Sequence, residues 1–139
     1  MNASSVYAMK ATALTLLFAV TVPAVAFAGL AHHSISAEFD GSRRITLTGT
    51  VTKVEWANPH TFFYVDVKDS KTGETVKWAC ELGSPNMLVE LGWTQNTLKV
   101  GMTVSLTGTL ARDGSRKVNA RNIVADGHKI TAWPSERVN

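Results

Sequence analysis

The feature that most constrains this chain is a run of apolar residues at every second position, separated by hydroxyl side chains. Ile45, Leu47, Gly49 and Val51 alternate with Thr46, Thr48, Thr50 and Thr52. The pattern returns downstream, where Met102, Val104, Leu106, Gly108 and Leu110 alternate with Thr103, Ser105, Thr107 and Thr109. Successive side chains of a strand point to opposite faces, so a period of two marks a strand with one face on a core and one toward water. Such a chain has to build a sheet and close it over a single apolar interior.

The phase of the first run slips by one before Val54 and Trp56. A slip inside a continuous strand is what a β-bulge produces, and Gly49 eases the bend. Asn58-Pro59 then ends the strand by turn chemistry. Thr61 to Lys68 reads as the second strand, with Phe63, Val65 and Val67 on one face and Phe62, Tyr64 and Asp66 on the other. Thr75 to Leu82 is the third, where Val76, Trp78 and Cys80 share a face and point inward. A single helix is expected next. Ser84 suits its N-cap, Pro85 its first turn and Gly92 its C-terminal stop, with Met87, Leu88 and Leu91 as the apolar stripe. After the fourth strand, Asp113-Gly114 turns into a fifth from Lys117 to Val124, and Asp126-Gly127 leads into a short tail strand from His128 to Trp133.

Three strands, a short helix, then two strands, with a bulged first strand, resemble the OB-fold. The expectation is therefore a mainly β chain: a small five-stranded OB-like barrel with one short helix between strands three and four. An SH3-like barrel or a small sandwich is the alternative.

The first residues carry a different signal. Lys10 is the one charge before Glu38, and a small and apolar run follows it from Ala11 to Val22. A basic start, an apolar stretch and small residues before a cut define a secretory signal peptide. A membrane-spanning helix needs about twenty uninterrupted apolar residues, and Pro23 breaks the run. Cleavage after Ala28 fits the rule of small residues, as does cleavage after Ala31. The reading divides the chain into a signal peptide over 1–28 (or to 31), an N-terminal arm over 29–44, an OB-like β-barrel domain over 45–133 and a tail over 134–139. The expected product is periplasmic and not an integral membrane protein after cleavage.

Of the 139 residues, 14 are Lys or Arg and 11 are Asp or Glu. The leader removes Lys10 alone among the charges, so the surplus of positive charge in the remainder is slight and scattered. That leaves no electrostatic footprint for nucleic acid, and single-stranded binding would rest on fold analogy alone. Cys80 is the sole cysteine, so no intramolecular disulfide is possible. It reads as a small buried hydrophobe.

The candidate binding residues gather at the first loop between strands. Asn58-Pro59-His60 borders the edge where OB-folds usually take ligands. Trp56, Phe62 and Tyr64 flank it on the strands. His60 either caps the bend or projects into a site beside Trp56. His32 and His33 open the mature arm. If cleavage follows Ala31, His32 offers its α-amine and its imidazole to one metal, with His60 or His33 as a third nitrogen. Such a nitrogen set suits Cu(II), so copper is the candidate cofactor. Ser84 lacks the Gly-x-Ser-x-Gly setting of a nucleophile and reads as a cap. The chain has no paired-cysteine motif, no His-Glu-x-x-His and no glycine-rich phosphate loop. Its carboxylates Glu38, Asp40, Glu55, Glu81 and Glu90 are too scattered to nominate an acid/base pair.

A resemblance covers essentially the whole mature chain. It rests on His32-His33-Ser34, Glu38-Phe39-Asp40, Gly49-Thr50-Val51, Trp56-x-Asn58-Pro59-His60, Glu81-Leu82-Gly83-Ser84-Pro85 and Gly92-Trp93. Together these resemble a family of short exported bacterial proteins built on a domain of unknown function. The resemblance implies fold and export and leaves activity open. The leading expectation is a non-enzymatic module that binds a small molecule or a periplasmic protein partner. The alternative is a copper-binding or copper-delivery protein that uses the N-terminal histidines.

Overall fold

The computed structural model describes residues 34–134. The expected signal peptide, His32, His33 and the tail beyond residue 134 lie outside the described residues. Within them the chain runs α1 (Ile35–Glu38), β1 (Phe39–Glu55), β2 (Phe62–Lys68), β3 (Thr75–Glu81), α2 (Pro85–Glu90), β4 (Thr103–Ala111), β5 (Lys117–Ala125) and β6 (His128–Thr131). The fold is mainly β, with six strands and two short helices. No helix among the described residues is long and apolar enough to cross a membrane.

The strands form one sheet in the order β3-β2-β1-β4-β5-β6, all neighbours antiparallel. A short parallel pairing of β3 with β5, from Ala79 beside Lys117 to Glu81 beside Asn119, closes the sheet in a ring. Closure leaves β6 as an added strand on β5, so the fifth strand has a sixth beyond it. The ring depends on β1, whose 17 residues serve both β4 and β2. Its register shifts between Val51 and Lys53, where the apolar phase of the sequence slips. At Gly49 a Cβ would stand 2.3 Å from the Asp66 carbonyl oxygen of β2. The bend brings the two backbones that close, and only glycine fits there.

One boundary differs from the sequence reading. The expected arm over 29–44 is not all arm, because β1 begins at Phe39 rather than Ile45. Asp40 to Arg44 have no apolar alternation to announce a strand. They are held instead by backbone pairing to β4, with Phe39 opposite Ala111 and Arg44 opposite Thr109. The short helix α1 before it is capped by Ser34, whose hydroxyl accepts the Ala37 N–H at 3.2 Å.

The interior follows the period-two pattern. Leu47 and Val51 of β1, Phe63 and Val65 of β2, Cys80 of β3, Val104 and Leu106 of β4, and Val118 and Ile123 of β5 are all buried in one cluster. Burial rises along β3, so Cys80 is fully inside while Trp78 is half-buried and packs against the cluster from its rim. Both side chains share the inward phase, and the larger indole is only partly covered by the cluster it packs against.

Helix α2 is specified at both ends. The Ser84 hydroxyl accepts the Met87 N–H at 3.3 Å, an N-cap that contributes about 1 kcal/mol. At the other end Gly92 takes φ +86°. Its N–H bonds the Val89 carbonyl, and the Trp93 N–H bonds the Leu88 carbonyl, each at 2.9 Å. That is a Schellman stop, and Trp93 and Leu88 also meet in the core, the apolar contact that accompanies it.

Burial pushes the Cys80 thiol up to about 12 from an ordinary value of 9.0. The unfolded chain ionises first, so this part of the stability is intact below pH 9. It is lost as pH rises from 9 toward 12, at up to about 1.4 kcal/mol per pH unit. Cys80→Ala should flatten that alkaline loss in urea titrations, and wild-type Cys80 should react with a thiol reagent far faster in urea than in buffer. Equal rates would place the thiol outside.

Candidate functional site

Two polar assemblies lie on the outer surface of the ring. The first centres on Glu81, the last residue of β3, whose carboxylate is only 2% exposed. His60 Nδ1 stands 2.8 Å from its Oε1 and Lys117 Nζ 3.0 Å from its Oε2. The lysine contact has the distance of an ion pair without the alignment of a hydrogen bond. Lys117 also hydrogen-bonds Glu38 at the end of α1. Its ammonium lies 5.1 Å from the centre of the Phe62 ring and 5.5 Å from that of Phe39, within cation–π reach.

Strand register explains the meeting. Glu81 faces Phe62 on β2 and Asn119 on β5, while Lys117 enters β5 beside Ala79. Burial pushes the Lys117 ammonium down, but its hydrogen bond to Glu38, its close contact with Glu81 and the attraction of both carboxylates outweigh that, leaving it above its ordinary value. Nearby, buried Thr61 Oγ1 and both amide atoms of buried Asn119 have no hydrogen-bond partner among the described residues.

The second assembly is a cleft of about 620 Å³ between the start of the described chain and the β4–β5 hairpin. Ile35, Ser36, Phe39, Gly41 and Arg44 form one side, and Thr107, Gly108, Thr109, Arg121 and Asn122 the other. Two interruptions of the ladder shape it. Between Phe39 and Arg44 the register of β1 against β4 shifts. On the other side Thr107 faces Asn122 while Gly108 faces Ala120, so Arg121 is the extra residue of a bulge. Bulges re-aim side chains and terminate regular pairing; here each one carries an arginine to the cleft.

Both sides are held in place. Arg121 stacks its guanidinium 4.2 Å from the centre of the Trp133 ring, and the Trp133 indole N–H donates to the Ala120 carbonyl at 2.6 Å. The Asn122 amide donates to the Thr107 hydroxyl at 2.9 Å. On the α1 side the Arg112 N–H bonds the Glu38 carbonyl at 2.9 Å and its side chain bonds the Ser36 carbonyl at 3.1 Å. Phe39 belongs to both assemblies.

The residues nominated from sequence sit around the first assembly, away from the cleft. His60 takes part directly and Phe62 lies under Lys117. Tyr64 donates its hydroxyl to Glu55 Oε2 at 2.8 Å, and that bond raises the phenol above its usual value. Trp56 is half-buried and packs on the core, while Asn58 is exposed. His32 and His33 lie outside the described residues. Among the described residues no three His, Cys, Asp or Glu side chains stand close enough together to hold a metal ion. Sequence reasoning missed Arg44, Arg121 and the threonines beside them. A signal was present on β5, where the buried apolar positions run Val118, Ala120, then Ile123 and Ala125, a change of phase that marks a bulge next to Arg121.

Comparison with known proteins adds one finding. Residues 19–120 match the model of a protein family described as a family of unknown function, DUF6152. No curated protein and no solved structure matches the chain.

Proposed function

The chain belongs to the family of unknown function DUF6152, and from its own residues we propose an exported, periplasmic, non-enzymatic module that binds a small molecule. The signal-peptide pattern of residues 1–28 supports export. A meander of three strands, α2 before β4, and a ring closed by the parallel β3–β5 pair support an OB-like barrel, the finer description of the ring. The observation that carries the binding reading is the cleft. Its size falls in the range of small-molecule sites, and it combines the half-buried Ile35 with a few convergent polar groups. The nominated loop edge offers less, since Glu81, Lys117, Phe62, Tyr64 and Glu55 are engaged with one another.

Thr107 is half-exposed and lines the cleft, so Thr107→Trp should fill the site without disturbing the core. In a thermal-shift screen of small molecules, compounds that raise the melting temperature of the wild type should leave Thr107→Trp unmoved. A screen without a single shift, or equal shifts in both proteins, contradicts the reading.

One contact favours the copper alternative. His60 Nδ1 stands 2.8 Å from Glu81 on a ring that is about one-third exposed, and a carboxylate behind the ring is the usual support of a metal-binding histidine. If His32 is the mature amino terminus, it and His60 supply nitrogens to one Cu(II). His60→Ala should then lower Cu(II) affinity in calorimetry, while His128→Ala, at the start of β6, should not. Affinity should weaken as pH falls, because protons compete for the same nitrogens. Equal weak binding by wild type and His60→Ala would leave only opportunistic binding by the His32-His33 pair.

A further inference from the structure

We infer that the cleft, together with the row of hydroxyl and amide side chains that runs through it, binds a neutral sugar chain. The inference rests on the small-molecule reading above and names its ligand class. Strand register sets the row. Thr46 of β1 faces Thr107 of β4, Thr107 faces Asn122 of β5, and Asn122 faces Thr131 of β6. Thr107 is half-exposed and the other three are exposed. With neighbouring strands about 4.8 Å apart, the row crosses about 14 Å of the outer surface. Its middle members, Thr107 and Asn122, line the cleft, and the Asn122 amide holds the Thr107 hydroxyl at 2.9 Å.

The chemistry of these groups selects the ligand. A threonine or serine hydroxyl and an asparagine amide each donate and accept hydrogen bonds, and Ser36 and Thr109 add two more such groups to the cleft wall. A sugar hydroxyl does the same, so the two sets pair in either direction, whereas a carboxylate only accepts and an ammonium only donates. Charge does not favour an ion. Arg44 and Arg121 line the cleft, but Arg121 is engaged on Trp133. Asp40 beside them keeps its negative charge, held below the usual carboxylate range by the hydroxyl and N–H of Ser42. Apolar surface is scarce as well, because Phe39 is 2% exposed and half-buried Ile35 is the other apolar side chain of the lining. Hydroxyls on the walls, both signs of charge at the rim and little apolar area suit a polar, uncharged ligand.

The test is calorimetric titration of the protein with glucose and with three neutral trisaccharides of different linkage: cellotriose, maltotriose and the trimer of N-acetylglucosamine. At least one trisaccharide should bind, and glucose, which spans only part of the row, should bind at least about tenfold more weakly. Thr46→Val and Thr107→Val nearly keep the side-chain shape and remove the hydroxyl. Each should weaken the bound trisaccharide about three- to tenfold, the loss of one neutral hydrogen bond. Thr50→Val, further along β1 and opposite Thr103, should leave it unchanged. Added salt should leave the affinity unchanged, since no ligand charge is screened. Glucose binding as tightly as the best trisaccharide would overturn the extended row, and a steep loss with salt would overturn the neutral assignment. Full binding by both Thr46→Val and Thr107→Val would overturn the placement. If no trisaccharide binds, the assignment falls. The small-molecule reading then stands if another compound shifts the melting temperature of the wild type but not of Thr107→Trp, and falls too if none does.

Discussion

Lys117→Met is expected to destabilise the protein by about 3 kcal/mol, one of the largest effects of any single replacement outside the core. Glu81 is buried to 2% exposure, and Lys117 is the cation that joins it to Glu38 and to the Phe62 and Phe39 rings. Removing one member of a buried ion pair leaves a charge that neither water nor a partner fully compensates, a loss of about 3–5 kcal/mol. His60 remains against Oε1, which places the expectation at the low end. Replacing both members, as Lys117→Met with Glu81→Leu, should recover most of the loss, because an apolar pair carries no desolvation penalty. Urea unfolding of the two variants decides the matter. A loss under about 1 kcal/mol for Lys117→Met would mean that His60 alone satisfies Glu81.

Phe63→Ala is expected to lower stability by about 3–5 kcal/mol, the transfer energy of a buried ring plus the cavity it leaves. Phe63 is 0% exposed and sits opposite Val54 on β1 and Cys80 on β3, at the middle of the interior. Its neighbour Tyr64 points to the other face and is half-buried. Tyr64→Ala, which loses one outer bond to Glu55, should cost less than about 2 kcal/mol. The contrast between adjacent positions is the energetic form of the period-two pattern. Comparable losses at both would contradict the register of β2.

That pattern is why so much of the fold was legible. Alternation placed β2 and β4 within a residue or so of their bounds, a phase slip located the bulge in β1, and Ser84, Pro85 and Gly92 framed α2 with ordinary capping chemistry. Each of these is written in neighbouring residues. What escaped is non-local. The start of β1 has a polar sequence and is a strand because β4 pairs with it. Glu81 lies on the phase opposite Cys80, so alternation assigns it to water, yet Lys117 and His60 gather over it from β5 and from the loop before β2. The cleft joins segments far apart in the chain, and its arginines stand at bulges, where the regular pattern is interrupted. A reading built on regularity finds the scaffold readily and passes over such positions.

The most direct measurement for the central claim is a nuclear magnetic resonance titration with the small molecule that most raises the melting temperature, following every backbone amide of the protein. The account predicts shifts concentrated at Ile35 to Phe39, Thr107 to Thr109 and Arg121 to Asn122, lost in Thr107→Trp. Shifts concentrated instead at Asn58 to Tyr64, with the cleft amides unmoved, would contradict it and return the binding site to the loop edge around His60.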